Sequence, residues 1–314
     1  MEDRIYTTQD GSSIHYKEYG NSGKNLLFIH AQGTSMASFY EVANDLDQKA
    51  HVYLVDCYGH GRSSHDPAKY NLKAIGDDLI EFMREVIGGP AMVIGHSSGG
   101  LIAAYMAANS ALCQQLILED PPLFSSCGER RYKTYHYLDL ATVCHNFLQQ
   151  EEETDFVLYY FMNQYCWRFF PDKTREKTRA KLGKNAAKFR RKHPHADLKV
   201  MFWPQLALEG FRGMGDYDPR FGQTFYDDSF HAGIDYEALL SEITCETLIM
   251  KARDDENLGK HNIDETVLMA AMSDEDLIRA NKLIKGSSVQ FLRCGHGIHM
   301  EKYMEYIKTI KSLI

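Results

Sequence analysis

A chain of 314 residues with 44% hydrophobic and 25% charged residues falls in the soluble globular range and can bury a large core. The net charge of −8 argues against a nucleic-acid partner and favours ordinary solubility in the cytoplasm. The start, MEDRIYTTQDG, has no apolar stretch behind basic residues, and no segment approaches the roughly 18 apolar residues of a membrane span, so neither secretion nor a membrane partner is expected.

In chain order, residues 5–7 and 13–18 flank Gln9, Asp10, Gly11 and Ser12, a hairpin signal at a sheet edge. A buried-looking strand at 25–30 opens into Ala31, Gln32, Gly33 and Thr34, a small-residue loop able to bring a backbone N–H close to a substrate. A helix at about 37–48, a strand at 51–56 and a Gly-rich turn follow. Residues 72–87 then place Ile75, Leu79, Ile80, Phe82, Met83 and Val86 on one helical face.

The stretch 91–100, AMVIGHSSGG, carries the most information. A short apolar run breaks into Gly95, His96, Ser97, Ser98 and Gly99, and a helical period resumes at Leu101. This is the G-x-S-x-G pattern of a strand, a tight turn and a helix, with Ser97 the candidate nucleophile on a strained backbone. A serine hydroxyl is a poor nucleophile near neutral pH, so a histidine must take its proton, an acid must orient that histidine, and two N–H groups must hold the oxyanion. The N–H of Ser98, at the start of the helix, is one expected donor, and that of Gln32 is the other. His296 lies just past a strand at 288–293 and is the expected base. For the acid three carboxylates stay open: Asp254 and Asp255, where the strand 247–251 leaves the sheet, and Asp120, which closes the strand 115–118.

These segments, in this order, resemble the α/β-hydrolase superfamily. FIHAQG (28–33) is similar to its oxyanion loop, VDCYGHGRS (55–63) to its Asp-x-x-Gly-x-Gly-x-Ser segment, GHSSG (95–99) to its elbow, the segment 248–255 to its acid loop, and GHGIHME (295–301) to its histidine loop. The resemblance implies a mostly parallel central sheet flanked by helices, an inserted mainly helical cap, and Asp255 as the acid. It implies no metal and no organic cofactor. His30-Ala31 stands where the family commonly has His-Gly, and Ala252 where many members have glycine, both small-for-small changes. Serine at 97 sets the chain apart from the haloalkane dehalogenases and epoxide hydrolases of the superfamily, which carry aspartate there.

The expected organisation is a catalytic core at 1–121, a helical cap at 122–241 and the rest of the core at 242–314. The middle segment is dense in aromatics, including Trp167 and Trp203 as candidate substrate contacts, although most such rings pack a small core of their own. Its basic run from Asp172 to His195 reads as a solvated helix face, and Ser273 as a helix cap before Asp274, Glu275 and Asp276. Seven scattered cysteines without a C-x-x-C pair argue against a disulfide framework and a zinc ribbon. The expected activity is cleavage of a carboxylic ester of a small or medium apolar substrate, a small molecule, through an acyl-enzyme on Ser97. Thioester, lactone or carbon–carbon bond hydrolysis by the same triad is the alternative, and a non-catalytic ligand-binding protein the remote one.

Overall fold

The computed structural model describes residues 2–204, 207–208, 210–253, 264 and 266–314. Its strands are β1 (Arg4–Thr7), β2 (Ser13–Tyr19), β3 (Lys24–Ile29), β4 (Ala50–Val55), β5 (Ala91–His96), β6 (Cys113–Glu119), β7 (Glu246–Ala252) and β8 (Ser288–Leu292). They form one sheet in the spatial order β1-β2-β4-β3-β5-β6-β7-β8. The hairpin β1–β2 joins β4 antiparallel, and β3 to β8 run parallel.

Side chains alternate faces along a strand, and both faces of this sheet are covered. Leu27, Ile29, Val93, Leu116 and Leu118 enter one apolar core. Their neighbours Leu26, Phe28, Met92, Ile94 and Ile117 enter the other. Helices α2 (Leu72–Phe82) and α3 (Ser98–Asn109) pack into the first core. Helix α1 (Tyr40–Leu46) packs into the second. The expected helix at 72–87 ends its α-helical part at Phe82 and finishes in a wider turn, Met83–Ile87.

Between β6 and β7 the chain leaves the sheet for over a hundred residues, and the helices among the described residues there are α4 (Thr142–Leu148), α5 (Phe156–Asn163), α6 (Asp172–Lys192), α7 (Pro219–Tyr226) and α8 (Tyr236–Ser241). The insertion has its own aromatic centre. Trp167 and Trp203 pack 4.9 Å apart, centroid to centroid, against Phe161 and Phe170. In α6 the residues Leu182, Gly183, Ala186 and Arg190 are buried, Arg190 on Asp155 at 2.7 Å, while Lys173, Lys177, Lys181, Lys184 and Lys188 face solvent. The basic run is thus a solvated face on a narrow buried stripe. Helices α9 (Asp274–Leu283), capped by Ser273 as expected, α10 (Ile298–Glu301) and α11 (Tyr303–Leu313) complete the fold. No helix of the described residues is long and apolar enough to cross a membrane.

Candidate active site

The parallel strands deliver their C-terminal ends to one edge of the sheet, where open α/β sheets place ligands. Ser97 follows β5 directly, at φ 55° and ψ −121°, a conformation that L side chains rarely adopt. Glycines make the turn possible. A Cβ on Gly95 would run into the carbonyl of Gly99, and one on Gly99 into the carbonyls of Ile29 and His30. Helix α3 therefore starts hard against the end of β3, which brings the loop after β3 beside the serine.

His296, after β8, donates or accepts through Nδ1 at 2.7 Å from Asp120 Oδ2. A carboxylate only accepts, so Nδ1 carries the proton and Nε2 is the nitrogen that can take one from a serine. Asp120 is buried and is held at both oxygens, since Oδ1 accepts from the Ala252 N–H at 3.1 Å. It too lies at positive φ, 44°. The carboxylate on the histidine is thus the one that closes β6. Asp255, which the family resemblance implied, and Asp254 lie outside the described residues. The His296 side chain is 42% exposed, so the site is open to solvent.

Beneath this pair is a second one that the sequence reading passed over. Glu119 and His299 are both buried, and Glu119 Oε1 accepts from the His299 backbone N–H at 2.8 Å and its Nδ1 at 2.7 Å. Burial pushes the Glu119 carboxyl up, but His299 and His96 outweigh it and hold it down at about 2. His96 donates through Nε2 to the His296 carbonyl at 3.0 Å, and burial keeps its own ring neutral, with a pKa lowered to about 3. His96, Glu119 and His299 form the one group among the described residues whose donor atoms cluster as metal ligands would. Their hydrogen bonds instead make them a clamp that fixes the loop carrying His296. The signal was present in GHGIHME, a second histidine three residues on, and in the adjacent acids Glu119 and Asp120.

The loop after β3 is pinned by two more buried histidines. His30 Nε2 accepts the Cys57 N–H at 3.0 Å, and His60 Nε2 accepts the Gly33 N–H at 3.0 Å. Burial lowers both rings below the usual histidine range, so each stays an acceptor. The Gln32 N–H points at the elbow and donates to Ser98 Oγ at 2.7 Å. The Ser98 N–H, in the first turn of α3, has no intrahelical acceptor. Both expected oxyanion donors are therefore at the elbow, with a serine hydroxyl now seated on one of them.

The side chain of Gln32, to which the sequence reading gave no part, ties this loop to the insertion. Its Oε1 accepts from His136 Nε2 at 2.7 Å, and its Nε2 donates to Tyr217 Oη at 2.7 Å. Burial keeps His136 neutral, with a pKa lowered to about 4. Leu140 and Met214 close over Gly33. These insertion residues reach the site, whereas Trp167 and Trp203, the rings singled out from composition, pack on each other. Trp167 Nε1 is satisfied internally by the Phe161 carbonyl at 2.6 Å.

A family profile described as "alpha/beta hydrolase fold" matches residues 24–303. The chain belongs to the α/β-hydrolase family. Among curated proteins, this α/β hydrolase is 31% identical to N-formylmaleamate deformylase of Pseudomonas putida over 125 residues, covering 39% of this chain and 46% of that protein. It is 30% identical to pimeloyl-[acyl-carrier protein] methyl ester esterase of Vibrio vulnificus over 100 residues, 32% of this chain and 37% of that one. Such matches span less than half the length of the curated relatives. A solved esterase from Exiguobacterium antarcticum shares the fold along 98% of both chains, with a TM-score of 0.65 and 17% identity.

Proposed function

We propose that this α/β hydrolase cleaves a carboxylic ester of a small or medium apolar substrate through an acyl-enzyme on Ser97. The observation that carries the reading is the 2.7 Å contact of His296 Nδ1 with Asp120, next to an elbow that holds Ser97 at positive φ. His296 Nε2 takes the serine proton as Ser97 Oγ attacks the carbonyl, and returns it to the leaving alcohol. Asp120 keeps the proton on Nδ1 and stabilises the imidazolium. The N–H groups of Gln32 and Ser98 hold the oxyanion once the Ser98 hydroxyl swings aside. Water then repeats the sequence on the acyl-enzyme. The insertion serves as a cap, with His136, Leu140, Met214 and Tyr217 bordering the reacting carbonyl. The esterase and deformylase among the relatives support hydrolysis at an acyl carbon.

The test is hydrolysis of nitrophenyl esters from acetate to decanoate by the wild type and by Ser97→Ala. The expected result is activity in the wild type that Ser97→Ala loses, with a preferred chain length set by the cap. A folded wild type that is inert on these esters and turns over thioesters or lactones would shift the bond cleaved. One inert on all three and on a β-diketone, whose carbon–carbon bond the same triad could cleave, would overturn hydrolysis and leave a ligand-binding protein.

A further inference from the structure

The N-terminal end of the sheet, opposite the active site, brings two cysteines together. Cys113 begins β6, Cys245 immediately precedes β7, and the two strands pair in parallel with Gln115 opposite Glu246. The sulfur atoms lie 3.9 Å apart. A disulfide holds its sulfurs about 2.0 Å apart, so the bond closes when these two sulfurs move together by about 2 Å. Elsewhere the sulfurs of Cys127, Cys144 and Cys166 meet oxygen atoms of Phe124, Tyr217 and Gln164.

We propose that Cys113 and Cys245 are a redox-active dithiol, a modification site that a low-molecular-weight disulfide converts to a disulfide. The two sulfurs differ in the way such a reaction needs. Cys245 is partly exposed and Cys113 is buried. The Cys113 thiol, by hydrogen bonding, lowers the pKa of Cys245, while the same contact and burial raise that of Cys113. Cys245 is therefore the attacking thiolate and Cys113 the resolving thiol. With glutathione disulfide, the Cys245 thiolate attacks one sulfur and expels a glutathione thiolate, leaving a mixed disulfide. Cys113 then gives up its proton and attacks the Cys245 sulfur, expelling the second glutathione. The pair loses two electrons, the reagent gains two, and both protons end on glutathione.

The consequence is topological. Asp120 and the whole insertion lie between the two cysteines, so the disulfide closes them into one covalent ring. Neither Ser97 nor His296 is inside it, and the proposal stands whether or not the ester reading does.

The native protein is incubated with glutathione disulfide, quenched with acid, and mapped by mass spectrometry with thiol counting under denaturing conditions. The expected result is loss of two of the seven thiols and a linked Cys113–Cys245 peptide two hydrogens lighter than its parts. The Cys245→Ser variant loses none, and Cys113→Ser stops at a glutathione adduct on Cys245. A protease cut within the insertion leaves the oxidised chain joined on a non-reducing gel and split on a reducing one. An unreacted wild type, a stable adduct on wild-type Cys245, or a link between other cysteines overturns the proposal.

Discussion

Replacing Asp120 by asparagine changes one atom and tests the whole triad. Asp120 Oδ1 accepts the Ala252 N–H and Oδ2 accepts from His296 Nδ1. In Asp120→Asn the carbonyl oxygen must stay on the Ala252 N–H, because an NH2 there would face another donor. The NH2 group then points at His296 Nδ1 and obliges it to accept, which moves the ring proton to Nε2. That nitrogen can no longer take a proton from Ser97. This wrong-tautomer penalty is ~10⁴ in kcat for a serine-protease triad. At 1.36 kcal/mol per tenfold it amounts to ~5.5 kcal/mol of barrier. Asparagine tolerates the φ of 44° better than most residues, so the variant keeps its fold and a Tm close to that of the wild type. The assay is kcat and KM on the best nitrophenyl ester, with Asp255→Asn alongside, expected within about twofold of the wild type. If Asp120→Asn keeps more than about a tenth of kcat while Asp255→Asn collapses, Asp120 is not the acid and the tautomer argument fails.

Three further outcomes follow from the same geometry. Ser97→Gly and Ser97→Ala should both be inactive, but Ser97→Gly should melt higher, because removing the Cβ at φ 55° releases ~1 kcal/mol or more of backbone strain; equal melting points would show that the elbow stores none. His96 and His231 are buried and held neutral by burial, both near pKa 3, so the unfolded state binds the extra protons below its ordinary pKa of about 6.5. Stability present above that pH is lost as pH falls, by up to about 2 kcal/mol per ring at about pH 5, and a flat Tm from about pH 7.5 to about pH 5 would contradict it. Gln32→Leu strands the His136 N–H and leaves the Tyr217 hydroxyl only its Cys144 contact, and should lower stability by ~1–3 kcal/mol and cut kcat, with the double variant Gln32→Leu/His136→Phe recovering part of the stability. Additive effects in that cycle would mean that the side chains are not coupled.

The elbow around Ser97, the loop that carries His296 and the sheet could be read from the chain because each is written in contiguous residues. The alternation of strand and helix gives a parallel sheet, and GHSSG after an apolar run can turn only one way, with Gly95 and Gly99 leaving room where any Cβ would collide. The capped helix after Ser273 and the solvated face of α6 were local for the same reason. The partner of His296 was not. Asp120 lies 176 positions away, and chain order favoured Asp254 and Asp255 only slightly, since Asp120 also lies between Ser97 and His296. Only the pairing of β6 with β7 and of β7 with β8 brought that carboxylate to the histidine. The same holds for His136 and Tyr217 on the Gln32 side chain, for Glu119 beneath His299, and for the sulfur contact across two strands. Local sequence fixes backbone turns and burial periodicity over a few residues, whereas a hydrogen bond between distant side chains exists only once strand order and register have set which ends lie side by side.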